Sequence, residues 1–335
     1  MSFVGTVRIY GSDVPTNSRR EKSFNYQFLV NFTGGSCPYM KHGIAHFPAR
    51  ELPETINIHL TRACNFGCRF CYAGFLECNC ARITLHKLRQ ILEALADLKP
   101  LPNGRARKVN FAGGEPMLCP DLPEIIRLCK GLGFVTSMVT NGSLLDERAI
   151  ACLDGALDIC AVSIDSGFAE TNAAIGRASK SFLPDAQYYQ ALAQKIRDSG
   201  IRFKVNTVAN RLNLSENLGV LIASLLPFRW KLFQVKEVIG QNDKTFSKLA
   251  INVTEFEDFV ARNRVLVPPQ IAVVPETADD MTASYAMIAP NGCFFDSGGG
   301  QHRYGRPIHV AGIKEAFQDV AFDAEKFVKR GGSYE

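Results

Sequence analysis

Short runs of β-branched residues alternate with longer amphipathic stretches from Ile56 onward, and this alternation limits the possible folds more than any other pattern in the sequence. Such alternation is typical of βα units built around a parallel sheet. Six units predict an α/β fold, a partial (βα)6 barrel of TIM type with its site at the carboxyl ends of the strands. The predicted strands are Ile56–Thr61, Lys108–Ala112, Val135–Thr140, Asp158–Asp165, Phe203–Val208 and Arg229–Val235.

The chain has 335 residues, of which 46% are hydrophobic, and it can bury the core of one large domain. Residues 1–50 are irregular and predict an N-terminal extension. Residues 51–265 carry the barrel pattern. Residues 266–335 are less periodic, and we expect a C-terminal extension that covers the substrate side of the barrel.

Charge and targeting signals restrict the possible partners. A net charge of +5, from 38 basic and 33 acidic residues, is too small for a nucleic-acid scaffold but suits a small polyanionic substrate. The first thirty residues contain no long apolar segment, so we expect a cytoplasmic protein without membrane insertion. In such a protein, eleven cysteines favour thiolate ligands and buried free thiols over disulfides.

Cys64, Cys68 and Cys71 form a CxxxCxxC motif just after the first predicted strand. Three thiolates in one short loop can hold three irons of a four-iron cluster and leave the fourth iron open. Three buried free cysteines or a zinc site are the alternatives. Cys78 and Cys80 lie nearby but have the wrong spacing to join the cluster, and we interpret them as packing or surface thiols.

This motif resembles that of the radical S-adenosylmethionine (SAM) superfamily. The resemblance implies a barrel of the radical SAM type, with a 4Fe–4S cluster and SAM as cofactors. In that family the amino and carboxylate groups of SAM bind the open iron, and an electron then cleaves the sulfonium to a 5'-deoxyadenosyl radical. An electron donor protein is therefore an implied partner. Tyr72, directly after the third cysteine, matches the family position whose backbone contacts the adenine.

Gly113, Gly114 and Glu115 belong to a GGEP segment at the end of the second predicted strand. Paired glycines let backbone groups approach a ligand closely, whereas an ordinary turn is the simpler explanation. In radical SAM enzymes this segment binds the amino group of SAM, and the same role is implied here for these three residues.

Polar residues also end the third and fourth predicted strands. Asn141 follows the third strand, and Ser163 and Asp165 share one face of the fourth. The resemblance implies contacts with the ribose and methionine parts of SAM. A hydrogen-bonded core Ser or Asn is the alternative.

Charged residues recur on one face of three predicted strands, opposite an apolar face. If the apolar faces pack against the outer helices, the cations point into the barrel, where an unpaired charge costs several kcal/mol. An anionic ligand would remove this cost. The inward residues are Lys108, Asn110, Lys204, Asn206, Arg229 and Lys231.

With Arg177 the set reaches two arginines and three lysines, which suits a nucleoside triphosphate with its roughly four negative charges. The alternatives are that the faces are reversed or that Asp and Glu neutralise the cations. No acidic residue lies in phase on the fifth strand or between Arg229 and Lys231.

The sequence resembles the viperin family of antiviral radical SAM enzymes over most of residues 56–335. The matching segments include VNFAGGEP, TNGSLL, IGRA, FKVN, RWKLFQ, VPE, SYAMI and KRGG. The resemblance implies that Tyr285 is a hydrogen donor late in the reaction. It also implies contacts between the nucleotide and Asn57, Lys108, Asn110, Arg177, Lys204, Asn206, Arg229 and Lys231.

The implied reaction is the dehydration of CTP or UTP. The deoxyadenosyl radical removes the ribose 4' hydrogen, the 3' hydroxyl leaves as water, and the radical is then reduced. The product is a 3'-deoxy-3',4'-didehydro nucleotide that can terminate polymerase chains. Two departures from the family bear on which base is bound. After the third cysteine, vertebrate viperin has a short polar run that contains a lysine, whereas this chain has AGFLECNCAR. Ala112 also replaces a serine of the family. The amphipathic membrane helix of vertebrate viperin has no counterpart in residues 1–50.

Two other functions fit part of the pattern. A radical SAM peptide-modifying or cofactor-biosynthesis enzyme would share the first two motifs. Such enzymes commonly carry C-terminal cysteine clusters, whereas Cys293 is the only cysteine beyond residue 161. A catalytically silent nucleotide- or protein-binding module would retain the fold without the chemistry.

Overall fold

The computed structural model describes residues 50–333, and the strands of that range form one sheet. The predicted extension over residues 1–50 lies outside the described residues except for Arg50. The strands are β1 (Thr55–His59), β2 (Lys108–Ala112), β3 (Val135–Thr140), β4 (Ile159–Ser163), β5 (Arg202–Ala209), β6 (Arg229–Gln234), β7 (Ala272–Glu276), β8 (Ala286–Ile288), β9 (Cys293–Asp296) and β10 (Arg303–Pro307).

Their order in the sheet is β10-β9-β8-β1-β2-β3-β4-β5-β6-β7. Strands β1 to β7 pair in parallel with their chain neighbours, which confirms the α/β partial barrel. Because each parallel connection must return to the same edge, the polar residues that follow these strands meet at their carboxyl ends.

Helices connect the strands. Helix α1 is representative: the Thr84 side chain caps its N-terminus, and its buried residues Leu88, Ile91, Leu92 and Leu95 form one apolar stripe. The helices are α1 (Leu85–Ala96), α2 (Leu122–Gly131), α3 (Glu147–Leu153), α4 (Ala169–Ile175), α5 (Ala186–Asp198), α6 (Leu218–Leu225), α7 (Asp243–Phe246), α8 (Val253–Arg264), α9 (Ile308–Ala311), α10 (Ile313–Gln318) and α11 (Ala324–Lys329), with a 3₁₀ turn at Pro116–Leu118.

All six predicted strands are present, and β2 and β3 have the predicted bounds. The predicted faces are also confirmed on β5 and β6. Phe203 and Val205 belong to the apolar core together with Trp230, whose indole Nε1 donates to Thr207 Oγ1 at 2.9 Å. The alternating residues Lys204 and Lys231 line the interior of the barrel.

The C-terminal region, whose sequence is less periodic, contains strands that the sequence did not predict. It supplies four strands, which extend both edges of the sheet: β7 pairs in parallel with β6, and β8 pairs in parallel with β1. These strands have three to five residues each, too few to produce a clear periodicity. Between residues 50 and 333, no helix has both the length and the apolar character required to cross a bilayer.

Candidate active site

A cavity of about 310 Å³ lies inside the barrel and reaches the loop that carries the three cysteines. Every site residue predicted from the sequence lines this cavity, except Glu115 and Arg229. His59, the last residue of β1, also lines it. The barrel therefore brings the cysteine motif, the glycine pair and the cationic strand faces together in one chamber.

The cysteine loop is held against the segment that follows α4. The Gly67 N–H donates to Gly176 O at 3.1 Å, and a Cβ at position 176 would overlap that same Gly67 carbonyl. Burial raises the pKa of Cys64, Cys68 and Cys71, that of Cys68 to about 12. Iron would replace the proton on each thiol, because thiolates are the ligating form.

The donor set fits a cluster with one iron per thiolate. The three sulfur-bearing side chains line the same cavity and lie in one short loop. Within residues 50–333, no three His, Cys, Asp or Glu side chains converge as one metal ion would require. Soft thiolates are suited to an iron–sulfur cube, in which each sulfur binds its own iron.

The paired glycines pack against the cysteine loop. A Cβ at Gly114 would overlap Ala63 O, and one at Gly113 would lie 2.7 Å from Thr61 O. Gly114 N donates to Thr61 O at 2.6 Å, and Glu115 N donates to Ala63 O at 2.8 Å. The close approach that these glycines permit is therefore to the start of the cysteine loop, while their other side faces the cavity.

Glu115 holds neighbouring backbone and does not line the cavity. Its buried carboxylate accepts hydrogen bonds from Thr140 Oγ1 at 2.6 Å, Asn141 N at 2.7 Å and Met117 N at 3.1 Å. Asn141 in turn donates from Nδ2 to Asn65 Oδ1 at 2.8 Å, within the cysteine loop. Three protein donors satisfy Glu115, which supports a positioning role, and its contact with SAM stays a prediction.

Asp165 and Arg177 form a buried ion pair at the cysteine end of the cavity. Asp165 accepts from Arg177 Nε through one carboxylate oxygen and from Val208 N at 2.7 Å through the other. The guanidinium lies 5.6 Å from the Phe70 ring centroid, and its charge opposes the rise in the pKa of Cys68. The structure thus separates Arg177 from the cations on β2, β5 and β6, with which the sequence grouped it.

Three of the remaining predicted cations, Lys108, Lys204 and Lys231, line the cavity and form what we call the positive wall. All three are nearly fully buried. Burial, followed by repulsion from Arg229, lowers the pKa of Lys204 to about 7. Burial also lowers the pKa of Lys108, and the charges of Lys204 and Lys231 lower it further. Such mutual repulsion favours the binding of an anion.

Asn57 and Asn110 lie side by side on β1 and β2 next to this wall. Asn110 Nδ2 donates to Asn57 Oδ1 at 2.8 Å. Arg229, in contrast, lies outside the cavity lining, and its Nη2 donates to Gly331 O at 2.7 Å. This position gives no support to the predicted contact between Arg229 and the substrate.

Sequence reasoning missed three charged residues in or beside the cavity: Lys236, Glu276 and Arg330. Lys236 and Arg330 line the cavity, whereas Glu276 is buried behind Lys231 and forms an ion pair with it. Glu276 lies on β7, a strand that was not predicted, so a search for acids on the predicted strands could not find it. The charged residues lining the described cavity are Lys108, Arg177, Lys204, Lys231, Lys236 and Arg330, with Asp165 as the one acid.

Comparison with known proteins decides the family. Residues 58–216 match the model of the radical SAM superfamily. An S-adenosylmethionine-dependent nucleotide dehydratase of Flammeovirga pacifica is 36% identical over 281 residues, which cover 84% of this chain and 95% of that protein. This chain belongs to the family of S-adenosylmethionine-dependent nucleotide dehydratases.

Further members of the nucleotide dehydratase family support the assignment. The Danio rerio protein RSAD2, a viperin, is 33% identical over 295 residues, which cover 84% of this chain and 78% of RSAD2. A nucleotide dehydratase of Lacinutrix mariniflava is 39% identical over 282 residues, or 84% of this chain. The match spans only 58% of the length of that relative.

Solved structures confirm the fold of the family member described here. Streptococcus suis SuiB bound to S-adenosylmethionine aligns with a TM-score of 0.60 and 16% identity, covering 84% of this chain and 67% of SuiB. Native anSMEcpe with bound AdoMet aligns with a TM-score of 0.56 and 12% identity, covering 82% of each chain. The cofactors of the radical SAM family are a 4Fe–4S cluster and SAM, as the cysteine motif predicted.

Proposed function

We propose that this enzyme removes water from the ribose of a pyrimidine nucleoside triphosphate, CTP or UTP, and forms the 3'-deoxy-3',4'-didehydro nucleotide. The observation that carries the proposal is the positive wall, which shares one cavity with the three cysteines. The relatives named nucleotide dehydratases support the reaction class. A chain-terminating product would suit an antiviral role, and a separate protein would deliver the electrons.

Cys64, Cys68 and Cys71 would hold the cluster, and SAM would lie beside them. The other residues proposed around SAM are Tyr72, Gly113, Gly114, Asn141 and Ser163, which line the same cavity. When bound, these cofactors supply the 5'-deoxyadenosyl radical that removes the ribose 4' hydrogen.

The chain itself orients the nucleotide. Lys108, Lys204 and Lys231 would neutralise the triphosphate, with Asn57, Asn110 and Asn206 beside the ribose. Fixing the anionic end on one wall places the sugar toward the cysteine loop at the opposite end. Tyr285 lines the same cavity, and burial raises the pKa of its phenol well above the ordinary value, so it keeps the hydrogen that we propose it donates late in the reaction.

The test is a substrate screen. The anaerobic enzyme with reconstituted cluster is incubated with SAM, dithionite and CTP, UTP, ATP or GTP, and the products are analysed by mass spectrometry. We expect release of 5'-deoxyadenosine that depends on CTP or UTP, together with a nucleotide lighter by one water. If no triphosphate stimulates deoxyadenosine release, the proposal is wrong and the peptide-modifying alternative becomes the leading one.

A further inference from the structure

The carboxylate of Glu276 connects three side chains that line the cavity. Its Oε1 pairs with Lys231 Nζ and lies 3.6 Å from Arg330 Nη1, and its Oε2 accepts from Tyr285 OH. The Arg330 guanidinium stacks 3.5 Å from the centroid of the Tyr285 ring and donates to Ser284 O. One buried acid therefore fixes the phenol and two cations of the cavity lining at once.

This arrangement has an electrostatic cost for an anionic substrate. Buried cations require a partner, and Glu276, which is fully buried, supplies one for Lys231 in the absence of a nucleotide. A phosphate bound at Lys231 would lie near the same carboxylate, and like charges repel across a few ångströms of protein. Glu276 therefore weakens the attraction of the wall for phosphate.

The contacts of Tyr285 indicate which role of Glu276 offsets the weaker attraction for phosphate. Arg330 packs on one face of its ring, and Glu276 fixes its hydroxyl, so the phenol has one orientation in the cavity. As a donor, the Tyr285 hydroxyl must reach the ribose: its proton would join the departing 3' hydroxyl as water, its electron would reduce the remaining ribose radical, and the electron donor would restore the phenol. A misplacement of about one ångström is costly for such a transfer. From these contacts we infer that Glu276 is a positioning residue that aims Tyr285 at the substrate at the expense of nucleotide affinity. This inference rests on the proposed dehydration of a nucleoside triphosphate.

The test compares Glu276→Gln with Glu237→Gln, a matched control at an exposed position after β6. Affinity for CTP and UTP is measured by calorimetry on the cluster-loaded enzyme without SAM. Because the amide in Glu276→Gln lacks the repelling charge, we expect the dissociation constant to fall by about threefold or more. In turnover with SAM and dithionite, the yield of dehydrated nucleotide per 5'-deoxyadenosine should fall at least about fivefold. Glu237→Gln should change neither quantity.

A purely structural role for Glu276 predicts a different pattern. Binding would weaken and the thermal midpoint would fall, while the yield of product per deoxyadenosine stayed at the wild-type value; that result would overturn the inference. If wild-type enzyme dehydrates no triphosphate at all, the proposed function fails instead, so the two failures are distinguishable.

Tyr285→Phe provides a second route if Glu276→Gln does not fold. This variant keeps Glu276 and its cations but removes the hydroxyl, so we expect unchanged nucleotide affinity and the same loss of product per deoxyadenosine. A wild-type yield from Tyr285→Phe would contradict the inference. Where both variants fold, the double variant should lose no more yield than Tyr285→Phe alone, because the two side chains act through one contact.

Discussion

Arg177 and Asp165 are joined by an ion pair whose side chains are only 7% and 1% exposed. Asp165 follows β4, whereas Arg177 follows α4 and its neighbour Gly176 packs on Gly67 of the cysteine loop. The pair therefore fastens the loop that carries Cys64 and Cys68 to the end of the sheet. Neither segment, taken alone, indicates this contact in its sequence.

Asp165→Asn should destabilise the enzyme, because Arg177 would remain buried without its ionised partner. We expect the free energy of unfolding to fall by about 3–5 kcal/mol in urea denaturation. Glu147→Gln is the control: it breaks an exposed pair with Lys195 and should cost no more than about 1 kcal/mol. Equal losses in the two variants would show that the Asp165 pair is not a buried structural contact.

Gly114→Ala should disrupt the cysteine loop, because the added methyl group would overlap the Ala63 carbonyl. We expect the iron content after anaerobic reconstitution to fall severalfold, together with SAM binding. Gly67 offers a control inside the loop itself, since a Cβ there would meet no atom within 4 Å. Gly67→Ala should keep wild-type iron content, and a normal cluster in Gly114→Ala would refute the packing role of this glycine.

Cys68→Ala should abolish both the brown absorbance of the cluster and the release of 5'-deoxyadenosine, because the two remaining thiolates cannot hold the four-iron cluster. Cys152 is an exposed free cysteine in α3 and provides the control. Cys152→Ala should retain full absorbance and full SAM cleavage. Retention of SAM cleavage by Cys68→Ala would remove this residue from the ligand set.

Nucleotide binding should take up protons at Lys204. Its pKa of about 7 lies below the ordinary lysine value of about 10.4, so between these pH values the folded enzyme holds fewer protons than the unfolded chain. The destabilisation from burying Lys204 is therefore complete below pH 7 and is relieved as the pH rises toward 10. The proposed triphosphate, when bound, would restore the charged form of Lys204.

Calorimetry at about pH 8 in buffers of different ionisation enthalpy measures this uptake. Wild-type enzyme should take up about one proton more than Lys204→Met on binding CTP or UTP, and the difference should shrink at about pH 6, where Lys204 is already charged. Equal proton uptake by the two proteins at the higher pH would show that Lys204 does not pair with the phosphates.

The sequence was informative wherever a residue's environment depends on its own strand. Alternation on β5 placed Lys204 inside the barrel and Phe203 in the core, and both positions are confirmed. The cysteine motif identified its family because three thiolates at fixed spacing serve few purposes. These inferences need only the two-residue period of a strand and the chemistry of sulfur.

Contacts between distant segments could not be predicted in this way. Glu276 meets Lys231 only because β7 pairs with β6, and a strand of five residues gives little periodic signal. Strand phase places Arg229 on the face of Lys231 but does not indicate that its guanidinium donates to Gly331 O, a contact with a segment about a hundred residues away. Residues 266–333 thus complete the wall of the cavity through pairing that a one-dimensional pattern does not contain.

The pairing of β1 with β8 has a consequence for how the enzyme is made. Ile56 lies in register with Ala286, so a strand synthesised early stays unpaired on one side until most of the chain has left the ribosome. Distant pairing of this kind slows folding. The cysteine loop is translated long before the segment that carries Glu276 and Tyr285. The ribosome therefore synthesises the proposed cluster ligands first and the residues that complete the cavity last.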